Sequence, residues 1–262
     1  MAIMSGAGVV VTGGGGGIGR AIARRLAADG ARVVVNDLDR AAAEAVAAEI
    51  DGLAAPGDVG TARGVEELVS AATGFLGEID VYCSNAGTVG GAGPETPDEL
   101  WLRAWEVNTL AHVRAARLLL PGWLARGAGT FVVTASAAGL LTMLGAAPYS
   151  VTKHAAVGFA EWLAATYGHR GLRVHCICPQ GVRTQMLAGS GRAGEIVLAA
   201  AAIEPEQVSD ALAAAMDVDR FLVLPHPEVR DYYVHRATDT DRWLHGMSRL
   251  QQRIDDAAGD AP

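Results

Sequence analysis

Short apolar runs alternate along this chain with longer stretches in which apolar residues recur every three or four positions. The runs, rich in β-branched residues, predict strands near 8–12, 32–37, 53–58, 79–84, 130–135, 172–178 and 220–225. The periodic stretches predict helices near 18–30, 40–50, 61–76, 97–126, 148–169 and 205–217; Ile18, Ile22 and Leu26 give the first its spacing. Strict alternation of the two implies an α/β chain: a doubly wound parallel sheet with helices on both faces. Ligands then bind beyond the C-terminal ends of the strands. No repeat or linker interrupts the order. A glycine-rich loop spans residues 87–97, and an apolar, small-residue segment at 184–204 offers a place for a lid.

Past the last strand the chain runs through Pro225-His226-Pro227 for more than thirty residues. The expected organisation is therefore a nucleotide-binding and catalytic unit over 1–226 and a helical extension of the same domain over 227–262. Trp243, Leu244, Met247, Leu250 and Ile254 fall at helical spacing, with Arg242, Arg249, Gln252 and Arg253 on the other face. Such a helix either packs on its own chain or forms an interface core. The expectation is the second, with the tail reaching toward a neighbouring subunit.

Composition narrows the classes. A chain of 262 residues suits one α/β domain, and 50% hydrophobic residues supply a large core. A net charge of −8 disfavours nucleic acid and anionic membrane as partners. The N-terminus carries no basic segment and its apolar run leads into a glycine turn, so a strand is expected there rather than a signal peptide. No apolar stretch is long enough to span a membrane. The odd count of cysteines, Cys83, Cys176 and Cys178, fits a reducing compartment, and a cytoplasmic protein is expected. Cys176 and Cys178 should point to one sheet face as core residues. No metal site is expected.

The chemistry begins with Tyr149 and Lys153, four apart on a predicted helix and so on one face. An ammonium beside a phenol favours the phenolate, and a tyrosine tuned that way exchanges a proton with an alcohol oxygen. Ser136, at the end of an apolar run, adds a hydroxyl that holds the same oxygen. Alone, the pair is only a helix face; the rest of the chain gives it meaning. Val9-Val10-Val11-Thr12 enters Gly13-Gly14-Gly15-Gly16-Gly17-Ile18-Gly19, and a helix follows. Strand, glycine turn and helix form the context of a dinucleotide site of Rossmann type: glycines let backbone approach a pyrophosphate, and the helix N-terminus offers free N–H groups. Asp37 ends the second strand, near the offset of roughly 20 residues at which an acidic group meets the ribose hydroxyls. Its charge repels a 2′-phosphate, and the turn has no Lys or Arg before Arg20, so NAD is expected over NADP. Asn108 shares a helix face with Trp101, Trp105 and His112. A buried amide there must be hydrogen-bonded, and a water-holding relay from Lys153 to solvent is its expected role.

These motifs resemble the short-chain dehydrogenase/reductase family over roughly residues 7–225. The turn matches that family's T-G-x-x-x-G-x-G at Thr12, Gly13, Gly17 and Gly19. By resemblance, Asp58 and Val59 hold the adenine, and Asn85, Ala86 and Gly87 stabilise the sheet beside the cofactor. Asn108, Ser136, Tyr149 and Lys153 match the catalytic tetrad, and Lys153 also holds the nicotinamide ribose. Pro179, Val182 and Thr184 match the segment at the nicotinamide end. With Ile18, these are the implied cofactor-binding residues. Ser84 departs from the family's asparagine, and Gln180 from its glycine. Family members commonly form tetramers through helices matching 97–126 and 148–169, so a homotetramer is implied.

The expected function is an NAD-dependent oxidoreductase that interconverts a secondary alcohol and a ketone by hydride transfer, with Tyr149 as general acid and base. Two alternatives remain: an NADPH-dependent 3-oxoacyl-type reductase, and a non-catalytic NAD-sensing protein on the same fold. Val89, Ala138, Met143, Gln180 and Met186 stand beside the motifs as candidate substrate contacts. They include no cation, which favours a neutral, partly hydrophobic alcohol or ketone.

Overall fold

The computed structural model describes residues 4–188, 198 and 201–259. Its strands are β1 (Gly8–Thr12), β2 (Arg32–Asn36), β3 (Leu53–Ala54), β4 (Val81–Ser84), β5 (Gly129–Thr134), β6 (Leu172–Ile177) and β7 (Leu222–Val223). Helices α1 (Gly17–Ala28), α2 (Arg40–Glu49), α3 (Ala62–Leu76), α4 (Asp98–Trp105), α5 (Ala111–Arg126) and α6 (Ala138–Leu141) come first. After them follow α7 (Ala147–Tyr167), α8 (Gln185–Ala188), α9 (Pro205–Asp217), α10 (Val229–Thr238) and α11 (Thr240–Gly259). The strands form one sheet in the order β3-β2-β1-β4-β5-β6-β7, with every pair parallel. The order reverses between β1 and β4, and there a crevice opens at the strands' C-terminal ends.

Alternation within the strands builds two cores. Val9, Val11, Val33, Val35 and Val132 face α1, α2 and α9 through Ile22, Leu26, Val46 and Leu212. Val10, Val34, Tyr82, Phe131 and Val133 face α3, α5 and α7 through Leu68, Leu119 and Leu163. Residues one apart on a strand point to opposite faces, so a continuous valine run such as 9–11 feeds both layers. Cys176 and Cys178 share a face as expected, with sulfurs 3.8 Å apart.

Two elements depart from expectation. The strand expected at 53–58 keeps only Leu53–Ala54. Pro56 has no N–H for the ladder, and the Asn36 amide takes the carbonyls of Ala55 and Gly57 instead, at 2.9 and 3.1 Å. The helix expected over 97–126 contains a π turn at Glu106–Leu110. The widened turn shifts the phase of the faces before and after it. Asn108 and His112 are fully buried while Trp105 is 39% exposed, so the four-residue stripe does not hold.

The tail is helical as expected. Its amphipathic helix forms as α11, with Ile254 buried but Leu244 turned to solvent. The tail packs against its own chain. Val229 at the start of α10 is fully buried, and Arg236 holds the Leu140 carbonyl and lies 3.4 Å from His154 Nε2. Most of the segment expected as a lid at 184–204 lies outside the described residues.

Candidate active site

The glycine turn is held from two sides. Thr12 Oγ1, at the end of β1, accepts from the N–H groups of Asn85 and Ala86 at 2.9 and 3.0 Å. The Asn85 amide donates back to the carbonyls of Thr12 and Gly13 at 3.0 and 3.3 Å. Gly13 and Gly17 have φ of +61° and +49°, where a side chain is strained. A Cβ on Gly19 would lie 2.0 Å from the Gly13 carbonyl oxygen. Backbone therefore closes on backbone, and α1 begins with no side-chain cap on its first N–H groups. A bare helix N-terminus behind a turn without side chains fits a pyrophosphate.

Carboxylates border this cradle. Asp37 accepts from the Gly15 N–H at 2.9 Å and from the Asp39 N–H at 3.0 Å, which fixes it beside the turn. The first cation of α1, Arg20, is drawn to Glu49 at 2.7 Å. Asp58 is held by both terminal nitrogens of Arg103, 2.9 Å each, and by the Gly60 N–H. The Arg103 bonds keep its carboxyl below the usual carboxylate range.

At the other end of the cleft, α7 starts with Pro148 in its first turn and presents Tyr149, then Lys153 one turn later. Lys153 Nζ donates to the Thr134 carbonyl at 2.7 Å and stands 5.6 Å from the centre of the Tyr149 ring. Lys153 is only 2% exposed, and burial pulls its pKa down to about 8. Burial also raises the Tyr149 phenol, opposed by a hydrogen bond with Ser136. Lys153 is itself desolvated and committed to the Thr134 carbonyl, with its ammonium beside the Tyr149 ring. Ser136 lies just past β5, where its hydroxyl accepts from the Ala138 N–H at 3.0 Å.

Asn108 stands behind the cleft wall. Its Oδ1 accepts from the Thr88 N–H at 2.8 Å, and its Nδ2 donates to the Thr88 carbonyl and the Thr152 hydroxyl. The amide is spent on pinning the loop after β4 to α7, so any relay through this residue uses its main chain in the π turn. His112 hydrogen-bonds Ser84 at 2.6 Å, both buried. That pair accounts for the serine at position 84: a small hydroxyl leaves room for the ring. Burial takes His112 down to about 3 and keeps it neutral.

A continuous cleft of about 1630 Å³ joins the two ends. Every expected cofactor and substrate residue lines it, including Val89, Ala138, Met143, Gln180 and Met186; of the expected catalytic residues only Asn108 does not. Sequence reasoning missed Arg103, Thr142, Glu228, Tyr232, Trp243, Met247 and Leu250, which also line it. Thr142 has φ of +78°, an outlier for a β-branched residue. The tail residues were visible as a stripe, but nothing local told where the stripe docks. Gln180 donates its N–H to His226 at 3.2 Å, which ties this wall to the start of the tail.

The family model for short chain dehydrogenases matches residues 7–194. The chain belongs to the short chain dehydrogenase family. As such it is an oxidoreductase acting on CH–OH groups, and most of the relatives it matches carry dehydrogenase or reductase names. A 1-deoxy-11-beta-hydroxypentalenate dehydrogenase of Streptomyces exfoliatus is 36% identical, over 90% of this chain and 88% of that one. A meso-2,3-butanediol dehydrogenase of Serratia marcescens is 36% identical, over 78% and 85%. Among solved structures, a short chain dehydrogenase/reductase from Burkholderia phymatum in complex with NAD superposes with a TM-score of 0.85. It has 25% identity and covers 91% of this chain and 95% of that one. Among the described residues, no helix of this short chain dehydrogenase is long and apolar enough to cross a membrane.

Proposed function

We propose that this dehydrogenase uses NAD to interconvert a secondary alcohol and a ketone, with Tyr149 as general acid and base. The observation that carries the reading is the joining of Tyr149, Lys153 and Ser136 to an Asp37-bordered glycine cradle in one cleft. Gly13, Gly17, Ile18 and Gly19 hold the pyrophosphate, Asp37 the adenosine ribose, and Asp58 and Val59 the adenine. Asn85, Ala86, Gly87, Pro179, Val182 and Thr184 surround the nicotinamide end. When bound, NAD supplies the hydride acceptor. Ser136 donates to the substrate oxygen and fixes it near Tyr149, which removes its proton during oxidation and returns one during reduction. Lys153, held by Thr134, holds the second ribose beside Tyr149 and favours its anion once charged. Asn108 links Lys153 to solvent through its main chain.

Two observations favour NAD over NADP. Asp37 is aimed by two backbone N–H groups, and Arg20 is already paired with Glu49. An NADPH-dependent 3-oxoacyl reductase is the second reading: a 3-ketoacyl-(acyl-carrier-protein) reductase from Brucella melitensis is 26% identical with a TM-score of 0.77, which supports the substrate class, while its bound NADH speaks against NADPH. Rates with NAD and NADP separate the two. A homotetramer is supported by exposed apolar side chains on α4, α5 and α7, among them Leu102, Leu118, Val151 and Trp162. Three free buried thiols suit the cytoplasm.

The test is Tyr149→Phe. It is expected to abolish turnover of secondary alcohols, followed by NADH absorbance, while NAD affinity stays within a few-fold. Activity near wild type in that variant overturns the assignment, and activity with no alcohol or ketone in the wild type favours the NAD-sensing alternative.

A further inference from the structure

The substrate end of the cleft is roofed by the tail. Tyr232 of α10 and Trp243, Met247 and Leu250 of α11 present one apolar face to it. Glu228, at the start of α10 and one turn before Tyr232, lines the same wall. Its setting differs from that of every other charged cleft residue among those described. Arg20 is paired with Glu49, and Arg103 with Asp58. Asp37 is held by Gly15, Asp39 caps α2, and Lys153 is held by Thr134. Glu228 makes no ion pair or side-chain hydrogen bond among the described residues, and it does not cap its own helix.

A half-buried carboxylate facing an apolar cleft keeps its charge most favourably when a donor meets it. Among the described residues, no side chain of the roof supplies that donor in the form of a cation. We infer that Glu228 is a specificity determinant. It takes a hydroxyl or ammonium on the part of the substrate remote from the reacting carbon, and it turns away substrates that carry a carboxylate there. The substrate class is then a mainly apolar alcohol or ketone with a second, hydrogen-bond-donating group. This sets the chain apart from relatives named for an acid such as hydroxypentalenate. The inference rests on the proposed reading of the cleft as a substrate site.

The test measures binding before turnover. Cyclohexanols carrying a methyl, hydroxyl, amino or carboxyl group on the far ring carbon are titrated calorimetrically into protein saturated with NADH, which cannot accept a hydride, for wild type and Glu228→Gln. A charge-assisted hydrogen bond outweighs a neutral contact by about tenfold or more. The amino probe should therefore bind wild type at least about tenfold more tightly than the carboxyl probe. In Glu228→Gln the ratio should fall toward one, with methyl-probe and NADH affinities unchanged. Equal affinities in wild type, a preference that persists in the variant, or no binding of the hydroxyl and amino probes overturns the inference. A preference that vanishes in the variant while no probe is oxidised with NAD supports the role of Glu228 and counts against the proposed reaction.

Discussion

Arg103 grips the Asp58 carboxylate with both terminal nitrogens, at 2.9 Å each. Asp58 follows β3 and Arg103 lies in α4, so this fork ties the end of the cleft proposed for the adenine to the helix that runs into the π turn. The planar guanidinium matches the carboxylate, and a lysine could not reproduce both bonds.

The fork leaves a signature in acid. Asp58 titrates below its ordinary value of 3.8, first through the Arg103 bonds. A depressed carboxyl contributes stability above its unfolded pKa and loses it as pH falls through the folded one. Wild type should therefore lose stability below about pH 4 more steeply than Arg103→Ala, in which Asp58 titrates nearer its ordinary value. Chemical denaturation over that range reads the two slopes. Both side chains are partly exposed, so the difference should be modest. Parallel curves would show that the pair contributes nothing to folding.

Cofactor choice is tested at the end of β2. Asp37→Ala removes the carboxylate that Gly15 and Asp39 orient. NAD efficiency should fall, and the ratio of kcat/KM for NADP over NAD should rise about tenfold or more, since a charge-assisted hydrogen bond is worth roughly 1.5–3 kcal/mol. Wild-type preference for NADP would refute the reading directly.

Much of this site was legible because its signals are local. Thr12 to Gly19 carries its own strand, turn and helix, and the Tyr149–Lys153 spacing fixes a shared face without any tertiary knowledge. The alternating runs likewise foretold seven strands, since parallel strands buried on both faces are continuously apolar. What escaped depends on distance. The π turn at Glu106–Leu110 moves Trp105 out of register with Asn108, and no residue in that stretch announces it. Arg103 reaches Asp58 across 45 positions. The face of α11 was visible as Trp243, Met247 and Leu250, but its docking over the cleft is set by Arg236 on Leu140 and by His226 under Gln180. The burial of Lys153 and its bond to the Thr134 carbonyl are likewise tertiary facts that no local pattern announces.

The glycine turn predicts a substitution that fails sterically. In Gly19→Ala the new methyl would sit 2.0 Å from the Gly13 oxygen and 2.6 Å from Asn85 Nδ2. Backbone cannot yield as a flexible side chain does, so the turn must open. The expected cost is roughly 1–3 kcal/mol of stability, together with weakened NAD binding. Thermal melting with and without NAD measures both. Gly16→Ala is the control, because a Cβ there meets nothing within 4 Å. Similar losses in both variants would refute the argument from close approach.

Lys153 sets function against stability. Its ammonium is 2% exposed, and burial takes its pKa from 10.5 to about 8. For a base with a depressed folded pKa, folding is penalised when the unfolded chain is charged. The penalty is full below about 8 and fades as pH rises toward 10.5. The shift amounts to roughly 3 kcal/mol. Lys153→Met removes that penalty but also the bond to Thr134, which returns about 1 kcal/mol. The variant should therefore be more stable than wild type near neutral pH by roughly 1–2 kcal/mol. Its advantage should shrink as pH rises past 8, and it should turn over no alcohol. Urea denaturation of both proteins from pH 7 upward measures the difference. A variant less stable than wild type at neutral pH would show that the lysine is held at no cost to the fold.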